Sequence, residues 1–211
     1  MESKRISKAM LNRLPGYLNY LKSLPEDAAV NISATTMAKA LGLGDVQVRK
    51  DLAMVSDGGR RKIGHMRETL IHDIEEFLDH HNITNAVLVG VGKLGQALMD
   101  YEGFEVYGLN ILAGFDVNPA LGAKAMGKPV YTMDRLADYC LEHDVPMGVI
   151  AVPVAHAQQV CNQMVACGIR AIWNFAPTHL KAPEHVLIQN ENLAVSLTAL
   201  RVQMKGQRYE Q

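Results

Sequence analysis

A glycine-rich loop between a predicted strand and a predicted helix places the strongest constraint on the fold of this chain. The letters GVGKLG, Gly90–Gly95, follow the apolar run Asn85–Val89 and lead into the helical pattern QALMDY. In a dinucleotide-binding turn the first glycine allows a tight turn, the second lets backbone approach a pyrophosphate, and the third lets helix and strand pack closely. The loop therefore predicts a phosphate-binding βαβ unit, with a purely structural glycine turn as the alternative.

An acidic residue at the end of the next predicted strand narrows the expected ligand. The run LNILAGFD ends in Asp116, twenty-one residues after Gly95, where an acid accepts the hydroxyls of an adenosine ribose. An aspartate also repels a 2′-phosphate, and the following Val117 and Asn118 supply no arginine to offset that repulsion. The expected dinucleotide is NAD(H) rather than NADP(H).

The order of segments around the loop predicts a Rossmann-like, doubly wound parallel sheet of the α/β class. Short apolar runs alternate with helical patterns, as in sheets that carry helices on both faces. The predicted strands cover 86–90, 109–116, 129–132, 147–153, 169–175 and 185–189. We assign this domain to residues 81–190. The following segment, 191–211, predicts one amphipathic helix with a stripe of Leu193, Leu197, Leu200 and Met204.

The first part of the chain, residues 1–80, predicts a separate domain built on a helix-turn-helix. The run 33–56 indicates a short helix, a glycine turn and a second helix, with Ser33 and Asp45 as their N-caps. The expected buried positions are Met37, Ala40, Leu41, Val48, Leu52 and Val55. A plain helical hairpin is the alternative, because many such hairpins share this pattern.

Polar and basic residues of this domain lie where a winged helix contacts DNA. Gln47, Arg49 and Lys50 fall on or beside the exposed face of the second helix, near its start, which can enter a major groove. A Gly-Gly turn and three successive cations follow, and this pattern is typical of a basic wing that contacts the phosphate backbone or a minor groove. The cations are Arg60, Arg61 and Lys62. A solvated loop is the alternative for these three residues taken alone.

Charge is divided unevenly along the chain, although the total is close to zero. Residues 1–67 carry twelve Lys or Arg and six Asp or Glu, a net charge of +6, whereas the whole chain has a formal net charge of −1. A basic block points to a polyanionic partner, with ordinary fluctuation of charge along a globular chain as the alternative. Together with the predicted wing, it favours double-stranded DNA as a partner.

Composition predicts a soluble cytoplasmic protein and gives little support to catalysis or metal binding. Hydrophobic residues make up 48% and charged residues 20%, and we expect neither a signal peptide nor a membrane helix, which needs ~20 apolar residues. Cys140, Cys161 and Cys167 show no metal-ligand spacing, which predicts free thiols. His156 and His179 follow strand ends, but neither has an evident partner, and no substrate domain follows the sheet. We expect no catalytic residue and no metal site, with a small NAD-dependent oxidoreductase as the alternative.

Taken in order, the motifs of both domains resemble one family, the bacterial Rex redox-sensing transcriptional repressors. The similar motifs are RLPGYL (Arg13–Leu18), ALGLGDVQVRKDL (Ala40–Leu52), VLVGVGKLGQAL (Val87–Leu98), YEGF (Tyr101–Phe104), AGFDVNP (Ala113–Pro119), VIAVP (Val149–Pro153) and NFAP (Asn174–Pro177). The resemblance implies a homodimer that binds inverted-repeat operators through winged helices and releases them when NADH occupies the Rossmann domain. It also implies that the C-terminal helix is swapped into the partner subunit.

The pattern and the resemblance together imply three groups of functional residues. The DNA-binding group is Arg13, Gln47, Arg49, Lys50, Arg60, Arg61 and Lys62. The NAD(H)-binding group is Gly90, Val91, Gly92, Lys93, Leu94, Gly95, Asp116, Val117, Ala151, Val152, Pro153, Asn174, Phe175, Ala176 and Pro177. The dimer and switch group is Tyr101, Asn192, Leu193 and Leu197. By resemblance, residues 151–153 and 174–177 line the nicotinamide end of the cofactor.

Three positions depart from the family pattern. His65 stands where a tyrosine is expected at the end of the wing, and Lys93 stands where asparagine is common in the phosphate loop. Asn192 stands where an aspartate usually bonds to the tyrosine matching Tyr101 as part of the redox switch. We expect NAD(H) and DNA binding to persist and the discrimination between NADH and NAD⁺ to change. CoA or another nucleotide is an alternative ligand, because the sheet also resembles CoA-binding domains.

Overall fold

The computed structural model of the protein describes residues 6–60, 63–79, 82–118 and 127–207, so the predicted wing cations Arg61 and Lys62 lie outside the described residues. The chain divides into two compact units, Met1–Asn82 and Ile83–Gln211. The sequence alone places the boundary at residue 80. Each unit buries its own apolar side chains.

The N-terminal unit packs helices around one hydrophobic core. Its helices are α1 (Lys8–Ser23), α2 (Ala34–Leu41), α3 (Asp45–Val55) and α4 (Arg67–Phe77), and its short antiparallel strands are β1 (Asn31–Ile32) and β2 (His65–Met66). The largest fully buried side chains are Leu14, Tyr17, Leu18, Leu21, Met37, Leu52, Leu70 and Ile74. In α1 and α4 these residues recur at spacings of three and four, so each of these helices turns one apolar face inward.

The helix-turn-helix forms at the predicted place, with two local corrections. Ser33 caps α2, since its hydroxyl accepts a hydrogen bond from the Thr36 N–H at 3.0 Å. Gly44, not Asp45, is the N-cap of α3; Asp45 lies in the first turn, where its negative charge still suits the helix dipole. The prediction that Ala40 is buried is wrong, because α2 turns Ala38 towards the core instead.

The wing begins as a tight turn closed by backbone hydrogen bonds. The Arg60 N–H donates to the Gly64 carbonyl and the Gly64 N–H to the Arg60 carbonyl, each at 2.9 Å. Gly64 has φ +90°, and a Cβ at this position would overlap the carbonyl oxygen of Ile32, so the turn requires glycine. His65 packs its ring against Gly59, and burial lowers the pKa of its imidazole. The departure from tyrosine therefore leaves a partly buried imidazole packed against the turn.

The C-terminal unit contains a six-stranded parallel sheet in the order β5-β4-β3-β6-β7-β8. The strands are β3 (Thr84–Val89), β4 (Leu109–Asp116), β5 (Val130–Thr132), β6 (Met147–Ile150), β7 (Ala171–Asn174) and β8 (Leu187–Asn190). The helices are α5 (Lys93–Met99), α6 (Leu136–Glu142), α7 (Val154–Ala166) and α8 (Leu193–Gln207), with 3₁₀ segments at Glu102–Tyr107 and Met133–Arg135. The predicted α/β fold, with a winged helix-turn-helix before a Rossmann-like sheet, is confirmed.

Strand order determines where a ligand can bind in such a sheet. The chain leaves β3, passes to β4 and β5 on one side, and then crosses to β6 on the other side. The connections after β3 and β6 therefore diverge and leave a crevice at the carboxyl ends of these strands, the usual ligand position in doubly wound sheets. No helix among the described residues is long and apolar enough to cross a membrane.

Candidate functional sites

The glycine loop has the geometry that its spacing predicts. Gly90 has φ +100°, and an added Cβ would lie 2.7 Å from the Ala151 carbonyl carbon, so the turn tolerates no side chain. At Gly95 a Cβ would overlap the Gly90 carbonyl oxygen, which places α5 directly against the turn. At Gly92 a Cβ would meet no heavy atom within 4 Å. The open side of the loop is thus at its middle glycine, where a ligand's phosphates can approach the backbone.

Asp116 is tied to this loop by its carboxylate. Its Oδ2 accepts a hydrogen bond from the Val91 N–H at 2.8 Å, and its Oδ1 accepts one from the Asn118 N–H at 2.9 Å. The two bonds fix the carboxylate at the end of β4 and leave further lone pairs for a ligand's hydroxyls. Asp116 therefore has a structural role, in holding the loop, that its predicted role in binding ribose does not include.

A cavity of about 540 Å³ lies at the carboxyl ends of β3, β4 and β6. Among the predicted ligand residues, its lining includes Gly90, Gly92, Asp116, Val117, Ala151, Val152 and Pro153. The lining also includes residues outside the predicted NAD(H)-binding group, namely Met133, His156, Gln159, Val160 and Gln163. The last four lie on one face of α7, and their spacing of three and four is visible in the sequence. Periodicity alone does not show that this face lies against the ends of the strands.

Other predicted ligand residues stand outside the lining of this cavity. Lys93 and Leu94 are exposed in the first turn of α5. Asn174 is fully buried at the end of β7, where its Oδ1 accepts from the Ala176 N–H at 3.0 Å. Its Nδ2 faces three acceptors, the Ala176 carbonyl, the Thr178 carbonyl and Asn190 Oδ1, at 2.8–3.1 Å. Asn174 thereby shapes the loop Asn174–Pro177 from within.

The predicted switch residues Tyr101 and Asn192 have different contacts in the described chain. Tyr101 is exposed and contacts Phe104 edge-on. Asn192 precedes α8, and its Oδ1 accepts a hydrogen bond from the Ala194 N–H at 3.0 Å. Asparagine and aspartate cap helices about equally well, so Asn192 preserves the start of the helix without carrying a charge. Leu193 is the first residue of α8, and Leu197 is exposed on it.

The predicted DNA-binding residues of α3 form an exposed polar surface. Gln47, Arg49 and Lys50 are exposed in its first two turns. Arg49 forms a surface ion pair with Asp45 at 2.7 Å, an i,i+4 pair whose small stabilisation leaves the guanidinium available to a phosphate. Arg60 is exposed at the start of the wing.

Arg13 lies in a different environment, a polar cluster beneath α3. Its guanidinium binds the Asp51 carboxylate with two hydrogen bonds, at 2.7 Å and 3.0 Å. Tyr17 donates to the same carboxylate at 2.7 Å and Gln47 at 2.8 Å. Arg13 therefore anchors α3 to α1, an intramolecular role that its predicted contact with DNA did not anticipate.

The hydrogen bonds of this cluster keep Asp51 ionised. Burial favours a higher pKa for the Asp51 carboxyl, but the donors on Arg13, Tyr17 and Gln47 outweigh it and lower the pKa. Burial, together with the neighbouring Asp51 carboxylate, raises the pKa of Tyr17 to about 12. The hydrogen bond to Asp51 also raises the pKa of Arg13. The cluster is a charged Arg–Asp pair completed by a neutral phenol and an amide.

Fold and sites together define a class of two-unit protein, in which a winged helix-turn-helix precedes a sheet with a dinucleotide-type glycine loop. Family models agree with this division: a putative DNA-binding protein N-terminus matches residues 5–53, and a CoA binding domain matches residues 81–178. The redox-sensing transcriptional repressor Rex of Porphyromonas gingivalis is 38% identical over 203 residues, covering 96% of this chain and 93% of the relative. The Rex of Clostridium perfringens is 35% identical over 202 residues, 95% of each chain.

The chain belongs to the Rex family of redox-sensing transcriptional repressors. Solved structures agree with this assignment. The crystal structure of RSP in complex with β-NAD⁺ and operator DNA matches with a TM-score of 0.88 and 30% identity, over 98% of this chain and 96% of that one. RSP in complex with β-NADH matches with a TM-score of 0.87 and 30% identity, over 98% of each chain. These relatives are named as repressors, which disfavours the oxidoreductase alternative.

Proposed function

We propose that this protein is a homodimeric repressor that binds inverted-repeat operator DNA and releases it when NADH occupies the sheet unit. The observation that carries the proposal is the match of nearly the whole chain to RSP, which has been crystallised with operator DNA and β-NAD⁺ and also with β-NADH. Two features support the proposal as candidate sites for these ligands, the exposed polar face of α3 and the cavity beside the glycine loop. The protein would thus respond to the NADH/NAD⁺ ratio in the cytoplasm.

We assign the dinucleotide to the crevice at the ends of β3, β4 and β6. The pyrophosphate would lie on the backbone at Gly92, and the adenosine ribose would bond to Asp116. Ala151–Pro153 line the same cavity. The loop Asn174–Pro177 follows the adjacent strand and is our candidate for the nicotinamide end. Lys93 begins α5 beside the phosphate position, where its charge would attract both redox forms equally.

We assign DNA recognition to α3 and the wing. Lys50, Arg49 and Gln47 would enter the major groove, while Arg60, Arg61 and Lys62 would contact the backbone. Arg13 acts in this proposal through Asp51, by fixing the position of α3. The repeated half-sites of an operator need two copies of the unit, which is the role of the homodimer.

Exposed apolar side chains of α8 support the dimer. Val195, Leu197, Leu200, Val202 and Met204 each expose more than half of their surface in the single chain. By helical periodicity, Leu197, Leu200 and Met204 share one side of the helix, and Val195 and Val202 share the opposite side. Contiguous exposed apolar surface of this kind marks an interface. We propose that α8 packs against the partner subunit.

Titration of operator binding with the two redox forms tests the proposal. A duplex recovered by the protein from a random-sequence library is titrated at fixed salt, alone, with NADH and with NAD⁺. We expect NADH to weaken binding by about fivefold or more, the usual range of an allosteric coupling, and NAD⁺ to weaken it less. Equal effects of the two forms would contradict redox sensing and leave DNA binding intact.

CoA is a second candidate ligand, because the family model that matches residues 81–178 describes a CoA binding domain. Binding of NADH, NADPH and CoA can be compared by calorimetry on the same preparation. Tighter binding of CoA than of NADH, with operator release by CoA, would identify the protein as a sensor of CoA instead of NADH.

A further inference from the structure

Four aromatic rings form a row on the face of the sheet that packs against α5. Tyr101 contacts Phe104 edge-on, with 4.8 Å between ring centroids, and Phe104 contacts Trp173 edge-on at 5.2 Å. Trp173 also packs on Phe175, at 4.7 Å. Tyr101 is exposed, whereas the other three rings are partly buried against the hydrophobic core of this face. The row therefore joins an exposed tyrosine to the loop Asn174–Pro177, in which Phe175 lies.

Trp173 is also bonded to the segment that leads into α8. Its indole Nε1 donates a hydrogen bond to Glu191 Oε1 at 3.2 Å, and Gln189 Nε2 donates to the same oxygen at 3.0 Å. The neighbouring Asn174 donates to Asn190 Oδ1 at 2.8 Å. Two consecutive residues of β7 thus hold the two residues that come directly before the helix cap.

We propose that Trp173 and Glu191 are positioning residues that couple the loop Asn174–Pro177 to the start of α8. The inference rests on the proposed function, in which that loop meets the nicotinamide. A ligand that displaces the end of β7 moves the indole N–H, and Glu191 follows because its carboxylate is bonded to it. Glu191 is adjacent to Asn192, so the displacement reaches the N-cap of α8 without an intervening residue.

The hydrogen bond itself is suited to this role. At 3.2 Å the bond from the indole N–H to the Glu191 carboxylate lies within the range of N–H···O hydrogen bonds, and Gln189 donates to the same oxygen. The indole ring is confined by Phe104 and Phe175, so its N–H can follow the strand but cannot turn freely. A confined donor bonded to an acceptor oxygen transmits a displacement that a freely turning donor would absorb.

The test compares full-length variants by their NADH effect, the ratio of operator dissociation constants with and without saturating NADH. Trp173→Phe keeps an aromatic ring and removes the donor, and Glu191→Ala removes the acceptor. Glu191→Gln keeps an acceptor oxygen. Glu184→Ala, an exposed glutamate before β8, is the matched control. If NADH weakens operator binding about fivefold in the parent protein, we expect this ratio to fall below about twofold in the first two variants, because loss of one hydrogen bond removes most of a coupling of that size.

Three further results are expected if the pair acts as a unit. The double variant Trp173→Phe/Glu191→Ala loses no more of the NADH effect than either single variant. Glu191→Gln retains most of the effect, and Glu184→Ala retains all of it. Trp173 is the one tryptophan in the sequence, so its fluorescence reports the bond directly, and its emission shifts in Glu191→Ala without any ligand.

The possible failures are distinguishable. A normal NADH effect in Trp173→Phe and Glu191→Ala, with a responsive parent protein, overturns the coupling role and leaves the proposed function standing. Additive losses in the double variant, or an unchanged emission spectrum in Glu191→Ala, also overturn it. A parent protein that shows no NADH effect contradicts the proposed function first, and the inference with it.

Discussion

At the scale of single residues, Asp51 shows how a buried carboxylate can organise the surface proposed to bind DNA. It is only 3% exposed and accepts hydrogen bonds from Arg13, Tyr17 and Gln47. Two of these donors lie on α1, and the third belongs to the exposed polar face of α3. The carboxylate therefore fixes both the position of the helix and the orientation of one side chain that would face a base.

We expect Asp51→Ala to destabilise the N-terminal unit by about 3 kcal/mol, because it leaves a partly buried guanidinium without its partner. Asp57→Ala, which removes an exposed aspartate from the same unit, is the control and should cost less than about 0.5 kcal/mol. Urea unfolding followed by circular dichroism measures both values. Equal midpoints for the two variants would show that the cluster contributes little to stability.

The same cluster predicts a pH dependence of stability. The pKa of Asp51 is lower in the folded protein than its ordinary value of about 3.9. The contribution of the carboxylate is therefore complete above about pH 4 and is lost as the pH falls through the lowered pKa. We expect the unfolding midpoint to drop on acidification below pH 4 and expect Asp51→Asn to flatten that part of the curve.

The proposed role of Asp116 leads to a prediction about the preference for NADH over NADPH. Asp116→Asn keeps an acceptor for the Val91 N–H but removes the charge that repels a 2′-phosphate. We expect NADH affinity to fall about tenfold, as for loss of a charged hydrogen-bond partner, and the preference for NADH over NADPH to narrow. Calorimetric titration of both nucleotides measures this, with Asp100→Asn, an exposed aspartate after α5, as the control. An unchanged NADH/NADPH preference would remove Asp116 from the proposed site.

At the scale of secondary-structure elements, the proposed role of α3 implies that affinity for DNA depends on the charge of Lys50. We expect Lys50→Ala to weaken operator binding by about tenfold and to lower the salt slope by about one if Lys50 contacts a phosphate. If Lys50 reads a base edge, specificity at that base pair relaxes by ~1–3 kcal/mol. Lys39→Ala, an exposed lysine of α2, is the control, and an equal loss there would indicate a diffuse electrostatic effect rather than a contact by α3.

Helices and strands were predictable from the sequence where the hydrophobic periodicity is strong and glycine or capping residues mark their ends. The parallel strands, the glycine loop and the Ser33 cap follow from local pattern, because each depends on residues close in sequence. Ala40 was misplaced because a spacing of three from Met37 fits the buried face as well as a spacing of four does, and alanine has too little apolar surface to decide which side of Met37 is buried.

The parts of the site that escaped prediction depend on contacts distant in sequence. Arg13 meets Asp51 across 38 positions, and no local pattern records that pairing. The polar face of α7 joins the cavity only because β6 lies between β3 and β7 in the sheet. Asp116 is bonded to Val91 because the ends of β4 and β3 lie side by side in the sheet.

At the scale of the whole molecule, the proposed dimer depends on α8. We expect Leu197→Glu and Leu200→Glu each to weaken self-association by about tenfold or more, because each buries a charge where an apolar side chain is expected to pack. Thr198→Glu adds the same charge on another face of the helix and should have a smaller effect. Sedimentation equilibrium measures the association constants, and a dimer that tolerates all three variants would place the interface elsewhere.

The separate cores of the two units have an evolutionary consequence. The residues that close the N-terminal core all precede position 79, and those that close the cores around the sheet all follow position 85. Among the described residues, the side chains of each hydrophobic core come from one unit. Exchange of the C-terminal unit, or a change in its ligand preference, would therefore leave the packing of the N-terminal unit intact. Recombination at the junction could then connect a new signal to an existing set of operators.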